Sequence, residues 1–155
     1  MGVMRKNTVY GTQYTVQSLV ETERFVVRLT ATLKGGDVLG LVGPLGAGKT
    51  TITQMIALAL GVKQRPRSPS YTILQPYSLP KEIRGIKTLV HVDAYRVNGT
   101  ELMDAGLSDY LTDPHSLIVV EWADRVKDVL PSSTTFLSLA SGHAPNQRLI
   151  STSKP

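Results

Sequence analysis

The 155-residue chain contains no cysteine. That excludes disulfides, thiolate metal sites and cysteine nucleophiles, and it fits a reducing compartment. Long apolar runs are missing too. The first, Val38–Val42, is five residues long, far short of the roughly 20 needed to span a bilayer. No apolar h-region follows Arg5 and Lys6 in MGVMRKNTVYG, so neither a secretory signal nor a membrane span is expected and the cytoplasm is the simplest location. What remains is 41% hydrophobic and 19% charged, the balance of one compact domain covering residues 1–155, with 1–7 and 152–155 expected to be loosely ordered.

The formal charge of +5 raises nucleic-acid binding, because clustered cations displace counterions from a phosphate backbone. The distribution weakens that reading. The densest basic stretch, Lys63, Arg65 and Arg67 in GVKQRPRSPS, is interrupted by Pro66 and has no interleaved aromatic residues for base stacking. It reads better as a solvated loop facing phosphates or an acidic partner.

Along the chain, residues 8–14 alternate loosely as a short edge strand, and Ser18 with Glu21 matches a capping box opening a helix. Leu19, Val26, Leu29 and Leu33 then fall on one helical face until Gly35-Gly36-Asp37 turns the chain. Val38–Val42 reads as a buried central strand. Residues 49–60 carry helical spacing at Ile52, Met55, Ile56 and Ala59, with Gly61 as the stop. Beyond lie an extended segment at 71–77, demoted to edge or loop by Pro76 and Pro80, then strands at 88–93, 117–121, 135–139 and 148–151. A short helix is expected at 100–105 and loosely ordered sequence from 141. This alternation predicts an α/β sandwich with a mainly parallel sheet.

The strongest chemical signal is GPLGAGKTT at residues 43–51, a G-x-x-x-x-G-K-[ST] spacing between a strand and a helix. In such a loop the glycines let backbone N–H groups turn toward phosphates, Lys49 brings a point charge and Thr50 offers a hydroxyl to Mg²⁺, at a helix N-terminus that favours anions. A magnesium–nucleotide site also needs an acid at the end of a neighbouring strand. Asp93 ends TLVHVD and Glu121 ends SLIVVE, each able instead to cap a helix or pair with Arg96 or Arg125. His91 shares one side of its strand with Asp93, to position a phosphate or water or to sit satisfied in the core. Tyr95 and Arg96 can bond the loops or a partner. Trp122, the only tryptophan, is by default a packing residue.

GPLGAGKTT, SPSYT, HVDAYR and EWADR resemble, in order and spacing, the TsaE (YjeE) family of bacterial tRNA threonylcarbamoyladenosine synthesis, over about residues 18–148. The resemblance implies a three-layer P-loop NTPase sandwich with added antiparallel strands, and an ATPase that resets the TsaB–TsaD pair between turnovers. tRNA would be met only through that complex. Carried over, Leu45, Gly46, Ala47, Gly48, Lys49, Thr50 and Thr51 hold the phosphates of ATP or ADP, Thr50 and Glu121 bind Mg²⁺, and Asp93 acts on the attacking water. The residues themselves leave the roles of Asp93 and Glu121 exchangeable. The resemblance also makes 68–72 a switch-like loop, places Trp122 beside the nucleotide, and brings the regions of Val20 and Arg148 toward the adenine. Three residues depart from the family pattern. Ser70 replaces a threonine, Ala94 a leucine, and Pro44 an aspartate, the last removing a carboxylate and one N–H from the loop.

Other classes fit less well. A guanine-reading N/T-K-x-D segment is absent after the loop, and the only D-x-x-G, Asp37 to Gly40, precedes it. A small-molecule kinase would use Arg65, Arg67, Arg84 and Arg96 as phosphoryl clamps but lacks an evident arginine-rich lid helix. A nucleotide-dependent RNA-binding module would show tRNA affinity that falls steeply with salt.

Overall fold

A computed structural model of the chain describes residues 12–67 and 72–153. Seven strands form one sheet in the order β1-β7-β6-β2-β5-β4-β3. The apolar run after the Gly35-Gly36 turn is β2 (Val38–Val42) and lies at the centre, paired in parallel with β5 (Ser116–Glu121) and β6 (Thr135–Ser141). β5 pairs in parallel with β4 (Ile86–Asp93). The outer pairings are antiparallel: β3 (Leu74–Ile83) with β4, β6 with β7 (Arg148–Ser153), and β7 with β1 (Gln13–Val16).

The sheet is therefore mixed, four parallel strands flanked by antiparallel ones of the kind the family resemblance implied, where the alternation of elements alone suggested a mainly parallel sheet. The reason is connection length. Short turns at Arg84-Gly85 and at 142–147 join β3 to β4 and β6 to β7 as hairpins, whereas parallel neighbours need a crossover. Pro76 and Pro80 do lie on the edge strand β3, which runs on to Ile83. The expected looseness from 141 gives way to the hairpin, and β7 continues through Ser153 with Thr152 buried. Residues 8–11 of the expected first strand lie outside the described residues; the strand itself begins at Gln13.

Helix α1 (Leu19–Thr30) starts where the sequence places it, with Ser18 Oγ accepting from the Glu21 N–H at 3.2 Å. The Glu21 carboxylate reaches one residue further back than a strict capping box, accepting from the Gln17 N–H at 2.8 Å. Val26, Leu29 and Leu33 are buried, but Leu19 is 69% exposed because it opens the helix beside a cavity. Helix α2 (Lys49–Ala59) buries Ile52, Ile56 and Ala57 and leaves Ala59 in solvent.

These two helices cover one face of the sheet, where Leu39, Leu41, Leu89, Leu117, Val119 and Leu137 meet them. The other face, with Val38, Val90, Val92, Ile118 and Val120, packs against Leu102, Leu107, Ala123 and Val126. Those residues come from α3 (Gly99–Leu102), a π-helical turn Met103–Leu107 bent at Gly106 and a 3₁₀ helix Ala123–Val129, while α4 (Ser108–Leu111), which follows the π turn, adds the partly buried Tyr110 and Leu111. The expected 100–105 helix is thus the start of a longer bent one. Strands buried on both faces explain why β5 reads as an unbroken apolar run.

Candidate functional site

Parallel order brings three chain segments to one edge of the sheet. β2 ends at Val42 and opens into the glycine loop, Glu121 ends β5, and Asp93 ends β4 directly opposite Glu121 in the register. Open α/β sheets bind ligands beyond the carboxyl ends of their strands.

The loop from Gly43 feeds straight into α2. Gly46 (φ +79°) and Gly48 (φ +103°) adopt left-handed backbone, which glycine enters without steric cost, and no side chain caps the helix. The first N–H groups of α2 are thereby left to an incoming anion. Lys49 is buried, and its Nζ donates to the carbonyls of Gly43 at 2.6 Å and Pro44 at 2.9 Å while lying 3.7 Å from the centre of the Trp122 ring. Burial pushes the Lys49 ammonium below its ordinary pKa, against the opposing pull of the Glu121, Asp124 and Asp93 carboxylates.

Behind the loop a polar chain runs from the half-buried Thr50 into the core. Thr50 Oγ1 donates to Glu121 Oε2 at 2.9 Å, and Glu121 Oε1 lies 2.7 Å from His91 Nε2. Glu121 is 3% exposed and His91 fully buried. Asp93 sits nearer solvent, its Oδ1 accepting from the Tyr95 N–H at 3.0 Å.

A cavity of about 440 Å³ opens in front of this chain, lined by Leu45, Gly46, Gly48, Lys49, Thr50, Thr51, Asp93 and Trp122 together with Tyr95 and Arg96. Glu121 lies beneath it, bonded to Thr50. Ala47 faces a second cavity of about 610 Å³ on the other side of the loop, which shares Gly46, Gly48 and Thr51 with the first. Ser18, Leu19, Val20 and Thr22 form one wall of it, and Leu139, Asn146, Arg148 and Ile150 the other. The sequence residues named for the phosphates, the metal, the water and the base thus fall around two joined cavities. The expected switch-like loop lies largely outside the described residues, at 68–71.

Two features were hidden in the sequence. Arg125 stacks 4.8 Å from the Tyr95 ring and 5.2 Å from the Trp122 ring, with Nη1 donating to the Tyr95 carbonyl at 2.7 Å. Asn146 reaches the second cavity only because 141–147 forms a hairpin loop. Trp122 itself adopts a left-handed backbone (φ 58°, ψ 38°) and packs 4.8 Å from Tyr95. That conformation is uncommon for a bulky residue. Beneath it, Gly40 lets the 3₁₀ helix approach β2, since a Cβ there would stand 2.8 Å from Ala123 Cβ.

Fold and site together define an α/β protein built on a strand, a G-x-x-x-x-G-K-T loop and a helix, with two acids on neighbouring strand ends. The family model described as threonylcarbamoyl adenosine biosynthesis protein TsaE matches residues 16–150, and the chain belongs to the TsaE family. It is 39% identical over 112 residues to the tRNA threonylcarbamoyladenosine biosynthesis protein TsaE of Bacillus subtilis, covering 72% of this chain and 66% of that one. The protein of that name from Treponema pallidum is 34% identical over 79% of this chain and 87% of its own. The matched segment therefore spans just under two thirds of the Bacillus relative. Among solved structures, Bacillus subtilis YdiB superposes with a TM-score of 0.70 at 29% identity, covering 93% of this chain and 86% of that chain.

Proposed function

We propose that this protein is a magnesium-dependent ATPase that acts in the cytoplasm on the TsaB–TsaD pair, resetting it between turnovers during threonylcarbamoyladenosine formation on tRNA. The observation that carries this reading is the polar chain from Thr50 through the buried Glu121 to His91, set behind a glycine loop with Asp93 alongside. On this reading the fold is a three-layer P-loop NTPase sandwich, and Leu45 to Thr51 cradle the phosphates. The second cavity, between Val20 and Arg148, takes the adenine.

A hydroxyl and a carboxylate are hard oxygen donors, the kind Mg²⁺ takes one or two of in nucleotide sites. Thr50 and Glu121 hold the ion on this reading, and when bound it neutralises charge on the outer phosphates. Lys49 must leave the Gly43 and Pro44 carbonyls to reach a phosphate. That exchange replaces neutral acceptors with an anion and returns the ammonium toward its ordinary pKa. Asp93, outside the Thr50 and Glu121 pair but lining the same cavity, orients the attacking water and takes its proton. A protein that resets a partner has reason to complete its site only when docked, so hydrolysis by the isolated chain is slow.

Copurification with TsaB–TsaD in the presence and absence of ATP tests the proposal. ATP-dependent association supports it. Failure to associate under both conditions would remove its partner and with it the assigned role.

A further inference from the structure

His91 is the one fully buried titratable side chain at the site that the proposed chemistry leaves without a task. It stands on β4 two residues before Asp93, in register with Val119 and so on the sheet face that carries Glu121. Its Nε2 is 2.7 Å from Glu121 Oε1, whereas its Nδ1 is buried with no hydrogen-bond partner among the described residues. A proton on that second nitrogen would be a buried N–H without an acceptor, which costs more than a bare lone pair. The tautomer that avoids it carries its proton on Nε2 and donates to Glu121. The ring then has no other polar contact to make.

We propose that His91 is a positioning residue for the magnesium site, holding Glu121 by one oxygen so that the other is kept at Thr50. Glu121 has two oxygens and, in the register observed, two donors, Thr50 from α2 and His91 from β4. The Thr50 hydroxyl must turn its lone pair to a metal when one binds, and from then on His91 is the donor that fixes the carboxylate rotamer. Such partners behind a metal ligand commonly change metal affinity by about 10–100-fold when removed.

The inference rests on the magnesium–nucleotide reading above, and its test separates the two. ADP affinity is measured with and without Mg²⁺ for the parent, His91→Leu and His91→Gln, with thermal melting of each variant without ligand. Mn²⁺ binding followed by electron paramagnetic resonance supplies a second readout. The expected result is that His91→Leu loses about 10–100-fold of the Mg²⁺-dependent gain in ADP affinity while ADP binding without metal is kept. His91→Gln, whose amide can place an N–H near Nε2, should recover part of the gain.

If His91→Leu melts as a folded protein and keeps the parent's Mg²⁺ dependence, His91 is only a core residue and the inference fails. Equal loss with and without metal likewise makes the role merely structural. Should the parent show no Mg²⁺ dependence at all, the magnesium reading itself is overturned, and the inference with it.

Discussion

At the scale of single residues, the two acids sit at different depths. Glu121 is buried and committed to Thr50 and His91, while Asp93 lines the open cavity. Replacing Asp93 with alanine should leave ATP affinity close to that of the parent and reduce hydrolysis by on the order of 10²–10⁴-fold; near-normal turnover would reassign the water to another residue. Lys49 gives a pH dependence with a definite sign. Its pKa in the free protein is lowered chiefly by burial, and the protonated form is the one that attracts phosphate. Nucleotide affinity should therefore hold below that lowered pKa and decline as pH rises through it, before the range of an exposed lysine. Isothermal titration with ADP at increasing alkaline pH checks this, and affinity that stays flat to the ordinary lysine range would contradict it. The loop, Asp93 and Glu121 were legible in the sequence because each is chemistry at the end of an apolar strand. The His91–Glu121 contact was not, since β4 and β5 lie far apart in the chain and only their parallel pairing sets His91 beside Glu121.

Among the elements, the cap at Asn98 and the packing at Gly40 carry the sharpest consequences. Asn98 Oδ1 accepts from the Glu101 N–H at 2.9 Å and Glu101 Oε2 from the Asn98 N–H at 2.8 Å, a complete capping box at the start of α3. Asn98→Ala should cost about 1 kcal/mol in urea unfolding without changing nucleotide affinity. Gly40 is tighter, with Phe136 Cδ1 at 2.9 Å as well as Ala123 Cβ at 2.8 Å from where a Cβ would stand. Gly40→Ala should cost about 1–3 kcal/mol and, by moving the 3₁₀ helix that follows Trp122, weaken nucleotide binding as well. A variant as stable as the parent would show that this contact has slack. Strands β2 and β5 were readable because strands buried on both faces leave unbroken apolar runs, and β4 because Leu89, Val90 and Val92 leave one interrupted only by His91. β7 was read over 148–151 only, because RLISTS is mostly polar and its last two residues, Thr152 and Ser153, become strand by pairing with Leu137 and Phe136 of β6. The bend at Gly106 and the antiparallel flanks likewise depend on tertiary contacts that local propensity does not contain.

For the molecule as a whole, membership of the TsaE family rests on a match across residues 16–150, close to the 18–148 stretch over which the four motifs agree. No helix among the described residues is long and apolar enough to cross a membrane. The densest basic stretch, Lys63, Arg65 and Arg67, has no interleaved aromatic residues for base stacking, so the isolated chain should bind tRNA weakly. Tight binding that falls steeply with salt would move the function to the RNA itself. If the chain resets a synthase, its effect belongs in the number of turnovers and not in the first one. The direct measurement is threonylcarbamoyladenosine formed on tRNA by TsaB–TsaD, in excess tRNA, with and without this protein and with ATP or a non-hydrolysable analogue available to it. The account predicts product continuing past one equivalent per synthase only with this protein and hydrolysable ATP, and stopping near one equivalent with the Asp93→Ala variant. Sustained turnover without the protein, or equal turnover with the Asp93→Ala variant, would contradict it.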